Sequence, residues 1–265
     1  MVIILTVYVA VTFFNFLFTE LERSRVRGAF AQYMSPEMVN RLAESNESLK
    51  LGGERKEMTM LFSDIRGFTK ISEQYKQDPE ALTDLINRLL TTLSNEILEC
   101  KGTIDKYMGD CIMAFWNAPA SQDNHAELAI RAGVKMRRAL KELNNELVGE
   151  GKLAMEIGIG INTGDCIVGN MGSDKRFDYT VLGDAVNLAA RLEGQSGSYG
   201  VNIVLGEETA KKMPDYKLIE LDLIAVKGKT EPVRIYTYLS DLHIDEAAKL
   251  KEPQNAMLAS YREQN

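Results

Sequence analysis

The segment Met60-Leu-Phe-Ser-Asp-Ile-Arg-Gly-Phe-Thr69 constrains this chain more than any other: an apolar run of strand character meets a carboxylate, Asp64, and then a glycine turn at Gly67. A strand that ends in this way can hold a metal and a phosphate together. Further along, Asp105-Lys-Tyr-Met-Gly-Asp110 sets Gly109-Asp110, a two-residue hairpin signal, between apolar runs and puts a second carboxylate at a strand tip. Two carboxylates on neighbouring strand ends are what a pair of divalent cations needs to grip a nucleoside triphosphate.

From Met58 onward the pattern predicts strand, helix, hairpin, helix, strand. Asp78-Pro79 offers a cap and a first-turn proline, Leu82, Leu85, Ile86, Leu89, Leu93 and Ile97 share one face, and Gly102 ends the helix. A hairpin follows over 103–116, and a second amphipathic helix over 123–147. Met155, Ile157, Ile159 and Ile161 alternate with Glu156, Gly158, Gly160 and Asn162 as a half-buried strand. Gly183 to Glu193 reads as a further helix, and strands near 217–226 and 232–238 flank Lys227-Gly228-Lys229. The mixed order predicts an α+β fold. No internal repeat is present, and the pattern leaves open whether the polar tail, 241–265, is a helix or disordered.

Several blocks, in this order, resemble the class III nucleotide cyclases: Leu-Phe-Ser-Asp-Ile-Arg-Gly-Phe-Thr, Lys-Tyr-Met-Gly-Asp, Gly158-Ile-Gly-Ile-Asn-Thr-Gly164, Tyr179-Thr-Val-Leu-Gly-Asp-Ala-Val-Asn-Leu-Ala-Ala-Arg-Leu-Glu193 and Val226-Lys-Gly-Lys229. The resemblance implies a ferredoxin-like catalytic domain over 52–240 that makes a cyclic nucleotide, pyrophosphate leaving as the ribose 3′-hydroxyl attacks the α-phosphorus. It implies two divalent cations, Mg2+ or Mn2+, held by Asp64, Asp110 and the Ile65 carbonyl. Asn187 and Arg191, one turn apart on a helix, would orient the ribose and neutralise charge on the α-phosphate. The amides around Arg66 to Thr69, Phe68 included, are suited to phosphate oxygens, and Lys227 resembles the family lysine that binds the terminal phosphates.

Base choice falls to Lys106 and Thr180. A lysine suits the ring-nitrogen acceptors of adenine where a guanine pocket wants a carboxylate. Many adenylate cyclases carry Asp where this chain has Thr180; a threonine there is similar to a bacterial-type branch that responds to bicarbonate. A hydroxyl both donates and accepts, which leaves ATP over GTP less secure. In the family the two sets of residues come from opposite subunits, so a chain with both implies a homodimer with two equivalent composite sites. The reading is an adenylate cyclase converting ATP to cyclic AMP, with a guanylate cyclase or a non-catalytic cyclase-like nucleotide-binding module as alternatives.

The net charge of −7 over 265 residues argues against nucleic acid as a partner. Cys100, Cys111 and Cys166 are an odd set without Cys-x-x-Cys spacing, so they read as small core residues in a reducing compartment rather than disulfides or a zinc site. His125 and His243 sit in a polar helix start and a polar tail, giving a Ser/His hydrolase little support. Residues 1–20 read as a transmembrane helix: Met1 to Phe18 is apolar apart from Thr6, Thr12 and Asn15, and Arg23, Arg25 and Arg27 follow. The positive-inside rule then puts the catalytic domain on the cytoplasmic side of the inner membrane, with a single span. Residues 21–51 read as a helical connector that either helps pair two chains or packs on its own domain. Such a chain is expected to be the C-terminal part of a longer receptor.

Overall fold

In the computed structural model, residues 51–214, 217–225, 232–239 and 244–263 are described, together with Tyr8 and residues 12–14. The chain divides into two units, Met1–Lys50 and Leu51–Asn265. Of the first, Tyr8 and residues 12–14 are helical, the Thr12 hydroxyl donating to the Tyr8 carbonyl at 2.8 Å. The rest of the expected membrane helix, and the connector as far as Lys50, lie outside the described residues. Among the described residues no helix is long and apolar enough to cross a membrane.

The second unit is built on an eight-stranded mixed sheet: β1 (Gly52–Ile65), β2 (Thr103–Met108), β3 (Cys111–Trp116), β4 (Ile157–Ser173), β5 (Arg176–Leu182), β6 (Ile203–Gly206), β7 (Leu218–Ile224) and β8 (Val233–Tyr238). The order is β2-β3-β1-β4-β6-β8-β7, with β5 paired to β4 off that path. Among the described residues only β4 and β6 run parallel; the other pairs are antiparallel. Between the strands run α1 (Phe68–Gln74), α2 (Pro79–Glu99), α3 (His125–Gly149), α4 (Asp184–Gln195), the short α5 (Glu207–Ala210) and a final α6 (Ile244–Glu263). The α+β expectation holds.

Side-chain alternation along β1 divides the core. Leu61 and Ile65 join Ile112, Ala114 and Trp116 of β3 and Ile157, Ile159 and Ile161 of β4 beneath α2 and α3. Met58, Met60 and Phe62 point the other way, into a cluster with Met113, Phe115, Cys166, Val181, Val186 and Ala189, under β5 and α4. Both faces of β1 are therefore covered from Met58 to Phe62, which is why that stretch is apolar apart from Thr59. Asp64 has the parity of Phe62 and shares its face with α4.

Local signals explain most element ends. The Asp78 carboxylate accepts from the Ala81 amide at 3.0 Å, with Pro79 at the first position of α2. The C-terminal end differs from expectation: Lys101, at φ 58°, takes the left-handed conformation, and Gly102 is required for space, because a Cβ there would lie 2.6 Å from Trp116 and 2.7 Å from Ile97. β4 extends well beyond the expected strand because its far half pairs with the start of β1 and with β5. β5 and β6, which the pattern did not reveal, both pair with β4, and β6 pairs with β8 as well. The tail is a helix where described: α6 buries Leu258, and Gln254 donates to the Glu220 carbonyl of β7 at 3.2 Å.

Candidate active site

Asp64 and Asp110 meet at one end of the sheet. The β2–β3 hairpin turns at Gly109, whose φ of 68° suits a residue without Cβ, and the register Ser63 to Ile112 brings Asp110 beside the end of β1. A single amide ties the two carboxylates: Ile65 N–H donates to Asp64 Oδ1 at 2.9 Å and to Asp110 Oδ2 at 3.3 Å. Burial, and then Asp64 itself, push the Asp110 carboxyl up to about 6.

The sequence reading gave no role to Glu193, a third carboxylate at this end. Register places Asp64 opposite Gly158, and a Cβ on Gly158 would collide with Glu193 Oε1. Burial pushes the Glu193 carboxyl up to about 7, with Asp64 and Asp110 adding to the rise and Arg66 opposing it. The neighbouring Cys111 thiol is driven to about 12 by burial and the same carboxylates. The signal for Glu193 was the Gly158-x-Gly160 spacing, since α4 lies on those two glycines: a Cβ at Gly160 would strike the Ala189 carbonyl and the Glu193 amide.

Hard oxygen ligands in a partly buried, mutually repelling group fit a divalent cation of the magnesium or manganese type. Among the described residues no group of three His, Cys, Asp or Glu side chains is assembled for a metal. Such a cation would draw further oxygens from substrate and water, as magnesium does at phosphate sites.

A second grouping joins β2 to β5. The Thr180 hydroxyl donates to Asp105 Oδ2 at 2.6 Å, and Lys106 Nζ lies 3.4 Å from Asp105 Oδ1. Lys106 and Thr180, remote in sequence, thus converge on one carboxylate that is itself 1% exposed.

On α4, Asn187 is exposed and Arg191 half-buried, and Arg191 Nη1 is buried without a hydrogen-bond partner among the described residues. A guanidinium nitrogen in that condition fits an anion from outside the chain. Phe68 opens α1 and packs on the larger core, while Thr69 is exposed. The Arg66 amide is not open to phosphate, because it donates to the Glu156 carbonyl at 2.8 Å and extends the β1–β4 ladder. Lys227 lies outside the described residues.

His125 departs from its expected polar setting. It is 4% exposed and bonded through Nδ1 to the Thr59 hydroxyl at 2.7 Å, and Thr59 bonds Thr163 at 2.7 Å. Burial lowers its pKa. The start of α3 packs on β1, which a helical pattern could not show, and the ring's partners are the Thr59 hydroxyl and the Glu57 carboxylate, 3.4 Å from Nε2, rather than a serine nucleophile. Cys100 and Cys166 are buried and Cys111 half-buried, all three as free thiols.

The family model of the adenylate and guanylate cyclase catalytic domain matches residues 53–240. An adenylate cyclase of Anabaena cylindrica is 34% identical over 218 residues, covering 78% of this chain and 42% of the relative. The solved adenylyl cyclase CyaB from P. aeruginosa is 41% identical with a TM-score of 0.67, over 73% of this chain and 98% of that one. The guanylyl cyclase Cya2 is 38% identical with a TM-score of 0.63, over 70% and 93%. This chain spans less than half the length of curated adenylate cyclases that it matches. The sheet from residue 53 onward, helices α1 to α5 and the site blocks fall inside the matched span, and the chain belongs to the adenylate and guanylate cyclase catalytic domain family.

Proposed function

We propose that this protein is an adenylate cyclase, converting ATP to 3′,5′-cyclic AMP and pyrophosphate at composite sites of a homodimer, in intracellular signalling. The observation that carries the reading is the Asp64–Ile65–Asp110 grouping, in which one amide holds two carboxylates at adjacent strand ends. Asp64, Asp110 and the Ile65 carbonyl would hold Mg2+ or Mn2+. Such cations, when bound, acidify the 3′-hydroxyl and steady the triphosphate.

The chain's own side chains do the rest. Asn187 orients the ribose, and the Arg191 guanidinium faces the charge that builds on the α-phosphate. The amides of Phe68 and Thr69, at the start of α1, receive phosphate oxygens, and Lys227 takes the terminal phosphates. Lys106 donates to an adenine ring nitrogen. Retention of Asp64, Asp110, Asn187 and Arg191 together argues against a non-catalytic module. The apolar segment 1–20 anchors the chain, with the arginines and the catalytic unit on the cytoplasmic side.

A guanylate cyclase is the second reading, favoured by the 38% identity to Cya2. The purified chain, offered ATP and GTP in competition with Mg2+ or Mn2+, is expected to release mainly cyclic AMP. A majority of cyclic GMP, or no turnover with either cation, overturns the proposal.

A further inference from the structure

We infer that Asp105 sets the preference for adenine by fixing the hydrogen-bond polarity of Thr180. This rests on the reading above, in which Lys106 and Thr180 face the base. A threonine hydroxyl carries one hydrogen and two lone pairs, so a free Thr180 could donate to the guanine carbonyl as readily as it accepts from the adenine amino group. Thr180 is not free. Its hydrogen is committed to Asp105 Oδ2 at 2.6 Å, and what remains to a base is a lone pair.

The direction of that bond follows from the state of the carboxylate. Burial raises the Asp105 pKa above its ordinary value, and the Thr180 hydrogen bond and the Lys106 ammonium oppose that rise by favouring the ionised form. Lys106 Nζ stands 3.4 Å from Asp105 Oδ1, an oxygen without a hydrogen bond among the described residues, and the side chain is 1% exposed. An ionised carboxylate only accepts, so the hydroxyl must donate to it.

The Asp105 carboxylate therefore leaves the base an acceptor at Thr180 beside the donor of Lys106. The adenine edge offers a ring-nitrogen acceptor beside an amino donor and matches this pair. Guanine offers a carbonyl where adenine has its amino group and an N–H where adenine has its acceptor, so it is mismatched at both positions. Leaving polar groups unpaired in a closed site is what gives a pocket discrimination beyond shape.

The test compares kcat/KM for ATP and for GTP in the full chain and in five variants: Asp105→Ala, Asp105→Asn, Thr180→Val, Lys106→Glu and the double variant of Thr180→Val with Asp105→Ala. Asp105→Ala frees the hydroxyl hydrogen, and the ATP-to-GTP ratio is expected to fall by about tenfold or more, with GTP turnover rising. Asp105→Asn keeps the side-chain shape but offers Thr180 an N–H, so the ratio falls here too, and this variant decides the matter if Asp105→Ala does not fold. In a Thr180→Val background, Asp105→Ala leaves the ratio unchanged, because the residue acts through the hydroxyl. Equal loss with both nucleotides in a folded Asp105 variant overturns the inference, as does an equal change of ratio without the hydroxyl. Lys106→Glu separates this from the underlying reading. A ratio indifferent to Lys106→Glu means the base lies elsewhere, whereas a ratio moved by Lys106→Glu but not by Asp105 sinks only the role of Asp105.

Discussion

Burial and the Asp64 carboxylate make Asp110 harder to ionise, and burial with Asp64 and Asp110 does the same to Glu193. Asp110 titrates at about 6 and Glu193 at about 7, both above the ordinary carboxylate range. A folded-state pKa raised above the unfolded value means stability that is full below the unfolded pKa and lost as pH rises through the folded one. The metal-free protein should therefore lose melting temperature between about pH 5 and about pH 8, all else equal. A divalent cation needs the ionised acids, so Mn2+ should raise the melting temperature much more at the upper pH than at the lower. Asp110→Asn should flatten both trends. Scanning calorimetry with and without Mn2+ checks this, and a cation shift equal at both pH values would contradict it. Asp64 and Asp110 were legible because a strand running into a turn is a local pattern. Glu193 and Asp105 were not, because what distinguishes them is burial against segments distant in the chain.

The contact of α4 with β4 depends on Gly160, where any side chain meets the helix backbone, and on Gly158, where it meets the Glu193 carboxylate and the Ser196 hydroxyl. Gly160→Ala should cost about 1–3 kcal/mol and displace the helix that carries Asn187 and Arg191, so activity falls further than stability alone explains. Gly194 lies in the same helix with nothing within 4 Å of a Cβ, and Gly194→Ala should be neutral or stabilising by up to about 1 kcal/mol. Urea titrations paired with activity read both. Equal effects of the two substitutions would show that helix propensity, not close approach, governs this contact. At the N-terminus, removing residues 1–20 should release the chain from membranes and leave the catalytic unit active; a full-length chain that fractionates without membranes would refute the anchor.

For the whole molecule, the decisive question is which chain supplies which half of a site. Asp64→Ala removes a cation ligand and Arg191→Ala removes charge facing the transition state, each expected to cost about 100- to 1,000-fold in rate. If sites are shared across a two-fold axis, a heterodimer of the two variants carries both lesions in one site and none in the other. Mixing the two nearly inactive proteins under subunit exchange should then restore activity well above either parent. Proven heterodimers without recovery would place all the groups within one chain. Sequence by itself determined the strand–turn carboxylates, the capped α2, the hairpin at Gly109 and the α4 face bearing Asn187 and Arg191, because each rests on spacing, turn chemistry or capping within a few residues. Only the tertiary structure decided that His125 is buried against Thr59, that Glu193 joins the acidic cluster, and that Asp105 holds Lys106 and Thr180 together. The first arises where α3 packs on β1 and the other two where α4 and β5 fold across the sheet, between segments far apart in the chain, and no local periodicity records them.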